Sequence, residues 1–198
     1  MLEQGQREQT RQRILTAAVR RIASEGIDDV RIARIAMDAG VSAALVHYHF
    51  VSREALLVEA LEHSYDIAGE ARMAALDDAG ATAAERLRAM IDSCLPAPGE
   101  QREDWLLWVE LWLRAARRPD LAETASRLYA RLHEWFAEAI RDGIADGEFR
   151  VTDVDVLTDR LLALVDGFGL RVLIGDDAVS FARARDEVWS VAAAALGI

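Results

Sequence analysis

Apolar residues recur every third or fourth position along nearly the whole chain, and no stretch alternates apolar with polar residues between hairpin turns. Such spacing suits helices that pack on helices, so the expected fold class is all-α. The periodic runs are cut at "SEGIDDV" (24–30), "AGVS" (39–42), "FVS" (50–52), "DDAGAT" (77–82), "PAPGE" (96–100), "RRPD" (117–120), "ADGEFRVTD" (145–153) and "GDDAVS" (175–180). Gly, Pro, Asp and Ser there supply turn and cap chemistry, which divides the chain into about nine helices. The first is predicted from an N-cap at Thr10 to Glu25, with Gly26 as its left-handed stop and Ile14, Leu15, Ala18, Val19 and Ile22 as its apolar stripe. A fourth helix is predicted to follow Ser52 and reach Leu76, and later ones to cover 81–95, 100–116, 119–146, 153–174 and 179–196.

A chain of 198 residues can bury a core without covalent staples. Cys94 is the only cysteine, so no intrachain disulfide can form, and it reads as a small buried apolar residue. The N-terminal "MLEQGQREQTRQRIL" lacks the apolar run of a signal peptide, and no later apolar stretch is long enough to cross a bilayer. A cytoplasmic protein with no membrane partner is expected.

The net charge of −11 argues against a polyanionic partner until its distribution is considered. All 23 cationic side chains are arginine. Residues 1–53 hold eight arginines against six acids, whereas the rest of the chain holds fifteen against twenty-eight. The first region can tolerate phosphate and the second would repel it, which points to two regions with different partners.

Within the first region, two short helices meet at "DAGVS", residues 38–42. Ala36 is small where the helices must approach, Gly40 allows the positive φ of a tight turn, Val41 and Val46 can plug the interface, and Ser42 can cap the following helix. This is the layout of a helix-turn-helix. "VRIARIAMDAGVSAALVHYHFVSREALLVEAL", preceded by "RQRILTAAVRRIASEG", resembles the DNA-binding region of TetR-family transcriptional repressors. The resemblance implies a three-helix DNA-binding domain over 1–51 and a larger helical effector-binding and dimerisation domain over 52–198. It implies a ligand-responsive regulator, a repressor released from a palindromic operator by a small molecule.

The same resemblance makes Ser42 to His49 the helix that enters the major groove of a double-stranded DNA operator. Arg31 and Arg34 become phosphate contacts, and Arg53 stands where the family usually has a lysine at the start of the fourth helix. His47 occupies the place of a backbone-contacting tyrosine, and Tyr48 and His49 follow it with further donors, though either ring can instead pack inward on the first helix. Ala43 and Ala44 depart from the polar or basic residues and glycine common there, which favours contacts to thymine methyl groups over hydrogen bonds to bases. Two histidines two positions apart on a helix point to nearly opposite sides, so His47 and His49 do not form a metal site.

In the second region, Trp105, Trp108 and Trp112 fall along one helix face. They read as core, or, with Trp135, Phe136 and Phe168, as the lining of an effector cavity in which Glu110 and Asp166 supply charge for a cationic or aromatic ligand. Asp166 interrupts the apolar run "LLALVDGFGLRVLI" and needs a partner if buried, either Arg171 across a dimer or the ligand. Apolar stripes of Leu157, Leu161, Leu164, Phe168 and Val172, and of Val188, Trp189, Ala192 and Leu196, suggest a homodimer formed through the last two helices. No phosphate-binding glycine loop, nucleophile elbow or paired Glu-x-x-His occurs, so neither a catalytic residue nor a cofactor is expected.

Overall fold

The computed structural model describes residues 2–76 and 82–198, with side chains described throughout except at 2–4, 67, 68, 70–76, 100 and 120. Of the expected break at 77–82, residues 77–81 lie outside the described residues. Among the described residues there are nine helices and no strands: α1 (Leu2–Glu25), α2 (Ile32–Asp38), α3 (Ala43–His49), α4 (Arg53–Leu76), α5 (Ala83–Ser93), α6 (Glu100–Ala115), α7 (Pro119–Ala145), α8 (Val154–Leu173) and α9 (Phe181–Leu196). No described helix is long and apolar enough to cross a membrane.

The helices group into two compact units. One comprises α1 to α3 and α4 as far as Ala68, together with Leu106–Ala125; the other comprises Gly69–Trp105 and Ser126–Ile198.

In the first unit, α1 packs on α2 and α2 on α3. Ile14, Leu15, Ala18, Ile22, Ile35, Val46, Phe50 and Leu56 form its core, each almost without exposure. The turn between α2 and α3 follows the predicted chemistry. Gly40 has φ +65°, its N–H donates to Met37 O at 3.1 Å, and the Val41 N–H donates to Ala36 O at 2.9 Å. This paired closure of a helix end requires a left-handed residue, which glycine adopts without Cβ strain. The Ser42 hydroxyl then accepts from the Leu45 N–H at 3.1 Å and starts α3.

The beginning of α1 differs from the sequence reading. The helix starts at Leu2, and Thr10 lies inside it with its hydroxyl donating to Gln6 O at 2.9 Å. A threonine that bonds back one turn needs no cap position. The surrounding Glu, Gln and Arg are good helix formers, and Gln12 bonds Glu8 at 2.9 Å.

In the second unit, α9 packs on α8 and α5. Thr82 and Glu85 form a reciprocal capping box on α5, whose first amides, Ala83 and Ala84, also donate to the Glu148 carboxylate at 3.0 and 3.4 Å. Asp153 and Ser180 cap α8 and α9. Of the stripes expected at a dimer surface, Leu157, Leu161, Val188, Ala192 and Leu196 are buried in this unit's own core. The exposed apolar residues of the two helices are Val156, Leu170, Ile174 and Val191, and the small Ala163, Gly167, Ala194 and Ala195 are also exposed.

Candidate nucleic-acid interface and effector site

At the surface of the first unit, α3 presents Ala43, Ala44, His47 and Tyr48 as exposed residues. Tyr48 is 63% exposed, so its ring is not buried in the core. His49 is half-buried, with Tyr48 set edge-on to it at 5.3 Å. Burial, reinforced by the positive Arg7 and Arg11, lowers the His49 pKa from its ordinary value, so the ring is held neutral.

The arginines of this unit divide into two groups. Arg11 pairs with Glu59, Arg21 with Glu25 and with Asp38 at 2.5 Å, and Arg34 with Glu25 at 3.1 Å. Arg53 donates to the carbonyl oxygens of Ile27 (2.5 Å), Asp28 (3.1 Å) and Val30 (3.2 Å), binding the α1–α2 connection to the start of α4. Arg114 on α6 grips the same connection through Asp28 at 2.7 Å and holds that carboxyl below the usual carboxylate range. The other group has no carboxylate partner among the described residues. It includes Arg31, exposed at the N-cap of α2, and Arg7, whose guanidinium lies 5.2 Å from the centroid of the Tyr48 ring.

The predicted effector residues fall into both units. In the first, Trp108 and Trp112 are half-buried with rings 5.8 Å apart, and Tyr65 of α4 sets its ring edge against Trp108 at 5.8 Å. Glu110, also half-buried, lies 3.5 Å from Arg114. In the second, Trp105 is buried, its indole N–H donates to Cys94 O at 3.0 Å, and its six-membered ring fills the space that a side chain at Gly169 would occupy. Phe136 is fully buried, with half-buried Trp135 edge-on to it at 5.5 Å, and Phe168 is half-buried.

Asp166, half-buried on α8, accepts a 2.7 Å hydrogen bond from the Tyr129 hydroxyl of α7. Burial raises the Asp166 pKa despite that bond, and burial together with the carboxylate pushes the Tyr129 phenol up. Among the described residues no cation pairs with Asp166. Arg171, one of the partners expected for it across a dimer, pairs within its own chain with Asp176 at 2.7 Å. Asp166 and Gly169 are three residues apart on α8, so Asp166 stands about one helical turn from the residue on which the Trp105 ring packs.

Comparison with known proteins places both halves of the sequence. Residues 14–60 match the profile "Bacterial regulatory proteins, tetR family", and residues 83–197 match "BetI-type transcriptional repressor, C-terminal". The chain belongs to the TetR family. A regulator from Saccharomonospora viridis, solved in complex with choline, shares 37% identity, covers 91% of this chain and 94% of its own, and superposes with a TM-score of 0.81. A TetR-family regulator from Rhodococcus sp. shares 30% identity over 96% of this chain and 99% of its own, with a TM-score of 0.83. The transcriptional regulator BetI of Brucella canis is 29% identical over 175 residues, 88% of this chain and 85% of its own.

As a TetR-family member of the BetI type, the chain is a ligand-responsive DNA-binding regulator of transcription and not an enzyme. Three residues that TetR-type motif reading passes over stand out in the geometry. Arg7 lies outside the helix-turn-helix motif and was placed before the expected start of α1. Tyr65 and Tyr129 sit singly on long helices, and only the packing shows that one meets a tryptophan and the other a buried acid.

Proposed function

We propose that this TetR-family protein is a repressor that binds a near-palindromic operator as a homodimer and leaves it when a choline-like quaternary ammonium ion binds. It acts in the cytoplasm, where bacterial DNA is transcribed. The observation that carries the choice of ligand is the Asp166 carboxylate. It is half-buried, has one hydroxyl donor, and has no cation within the described chain. A buried carboxylate in that state favours a cationic guest, and an aromatic face beside it adds attraction for an ion that cannot donate hydrogen bonds. Trp105, one turn away, supplies such a face, and the similar Saccharomonospora viridis regulator is seen with choline.

Arg31, Arg34 and Arg53 with Ser42, Ala43, Ala44, His47, Tyr48 and His49 form the proposed DNA-binding set. The alanines offer methyl contacts and the cations and rings offer backbone contacts. Residues 1–51 form the proposed DNA-binding domain and 52–198 the effector-binding and dimerisation domain. The proposed dimer joins α8 and α9 of each copy, supported by the exposed Leu170, Ile174 and Val191 and by small residues that let helices approach closely. Ligand release of DNA requires tighter binding of the ligand to the released state.

Calorimetric titration with choline, tetramethylammonium and neutral isosteres tests the ligand, and fluorescence anisotropy on a library-selected duplex tests its effect. Saturable binding of the quaternary ions, release of duplex by them, and loss of at least tenfold in ion affinity in Asp166→Asn are expected. Equal affinity in Asp166→Asn and the unmodified protein would refute the assignment.

A further inference from the structure

We propose that Arg7 is a further DNA-backbone contact, seated on the Tyr48 ring so that the first turns of α1 extend the phosphate-binding surface beyond the helix-turn-helix. The inference rests on the DNA-binding reading of the first unit and adds a residue outside the motif that carries that reading.

Three observations converge on it. First, α1 begins at Leu2, so Arg7 is held on a formed helix. Second, the Arg7 guanidinium lies 5.2 Å from the Tyr48 ring centroid, and Tyr48 is 63% exposed beside His47 on the helix assigned to the major groove. Third, four of the other cations near the motif are already engaged, the exception within the motif being Arg31 at the N-cap of α2. Arg11, Arg21 and Arg34 face carboxylates and Arg53 faces carbonyl oxygens, whereas no carboxylate among the described residues pairs with Arg7.

The chemistry suits phosphate. A guanidinium stacked on an aromatic face keeps its N–H edge free for two-pronged bonding to an anion, and the ring limits the rotamers the long side chain must give up on binding. The positive potential at this corner is felt by a neighbour. Arg7 and Arg11 both disfavour protonation of His49, with Glu8 opposing them only in part. In a chain of net charge −11, a cation at this corner with no carboxylate partner among the described residues contributes disproportionately to attraction for a polyanion.

The test uses the full-length protein, a library-selected duplex and a random-sequence duplex, with binding measured by fluorescence anisotropy across a salt series. Arg7→Ala should weaken both duplexes several-fold. It should also flatten the dependence of log K on log salt by about 0.9 per protomer, or roughly two units per dimer. Arg7→Lys should recover most of the slope. Arg13→Ala, which removes an exposed charge from the same helix away from the ring, should leave the slope in place. Tyr48→Leu combined with Arg7→Ala should cost less than the sum of the two single changes, because the ring acts partly through the arginine. An unchanged slope in Arg7→Ala, or an equal loss in Arg13→Ala, would overturn the proposal. Failure of the unmodified protein to retain any duplex would overturn the DNA-binding reading and this inference with it.

Discussion

Gly169→Ala is a one-methyl change whose sign depends on whether Trp105 is held as the structure shows it. Gly169 lies in the interior of α8, where alanine would ordinarily stabilise by up to about 1 kcal/mol through helix propensity. Here the new Cβ would fall inside the van der Waals envelope of Trp105 Cη2 and Cζ2 and 3.0 Å from Cε2. Carbon atoms pack at roughly 3.5–4.0 Å, so the indole has to retreat by about 1.5 Å. Overpacking of this kind costs about 1–3 kcal/mol. The retreat also breaks the 3.0 Å bond from the indole N–H to Cys94 O, and a buried donor without a partner costs a further ~1–3 kcal/mol. Set against the gain in propensity, the net expectation is a loss of about 3 kcal/mol, or roughly 6–12 °C in melting temperature for a chain of this size. Urea unfolding followed by circular dichroism measures it, and Trp105→Phe in the same background should restore most of the loss because the smaller ring clears the methyl group. Gly169→Ala as stable as the unmodified protein, or more so, would show that the indole is not wedged against α8.

Arg53→Ala should weaken binding to every duplex and also lower the unfolding free energy by about 2 kcal/mol. The guanidinium bonds three carbonyl oxygens of the α1–α2 connection, and bonds to a charged donor are worth about 1.5–3 kcal/mol before discounting for exposure. An affinity loss with no change in thermal unfolding would refute the second role. His49 gives a pH dependence. Its folded-state pKa is lowered from the ordinary 6.5 by burial and by Arg7 and Arg11, with Glu8 opposing, so the unfolded chain binds the proton more tightly. The stability from neutral His49 is fully present above about pH 6.5 and is lost as pH falls below it. The urea midpoint should therefore drop between pH 7 and 5.5 more steeply than in His49→Gln, and equal slopes would refute the reasoning.

The helices were legible because their boundaries are written in local chemistry. Gly26 and Gly40 take positive φ where a chain must stop, and Ser42, Ser52, Thr82, Asp153 and Ser180 cap by their own hydroxyl or carboxyl groups. The start of α1 was misplaced because a threonine can cap a helix or bond back within one, and the sequence does not distinguish these until the preceding turn is known. The helix-turn-helix pattern put α2, the Gly40 turn and α3 where the structure has them, but the job of each arginine depends on long-range neighbours. Nothing near Arg53 in sequence announces that its guanidinium reaches 23 to 26 residues back to three carbonyl oxygens. Helical spacing likewise put Trp105, Trp108 and Trp112 on one stripe, yet Trp105 packs with the second unit and the other two with the first. Spacing fixes a face of a helix and does not identify the neighbour that meets it. Part of the stripes on α8 and α9 is used inside the chain for the same reason, since Leu157, Leu161, Val188, Ala192 and Leu196 pack in its own core.

The division of arginines constrains how this TetR-family protein can achieve specificity. Of the eight arginines in residues 1–53, Arg11, Arg21, Arg34 and Arg53 are engaged within the protein and Arg20 lies in electrostatic reach of Asp38, which leaves Arg7, Arg13 and Arg31 without a carboxylate or carbonyl partner among the described residues. The engaged group shapes the reading head by tying α1 to α2, α1 to α4, and the α1–α2 connection to α4. Releasing any of them to a phosphate would leave an acid or a set of carbonyl oxygens unpaired. A protomer therefore has few cations to offer DNA, and the large acidic excess of the remaining chain opposes even these. Sequence-independent attraction, which depends on the number of phosphates neutralised, is accordingly weak for such a protein. Under the proposed function, discrimination then falls to the α3 residues, the methyl groups of Ala43 and Ala44 and the donors of His47 and Tyr48, together with the spacing of the two proposed copies on one duplex. For the proposed dimer, such a surface would favour a low background of non-specific binding over high absolute affinity, and a small change in the spacing of its two copies would release it.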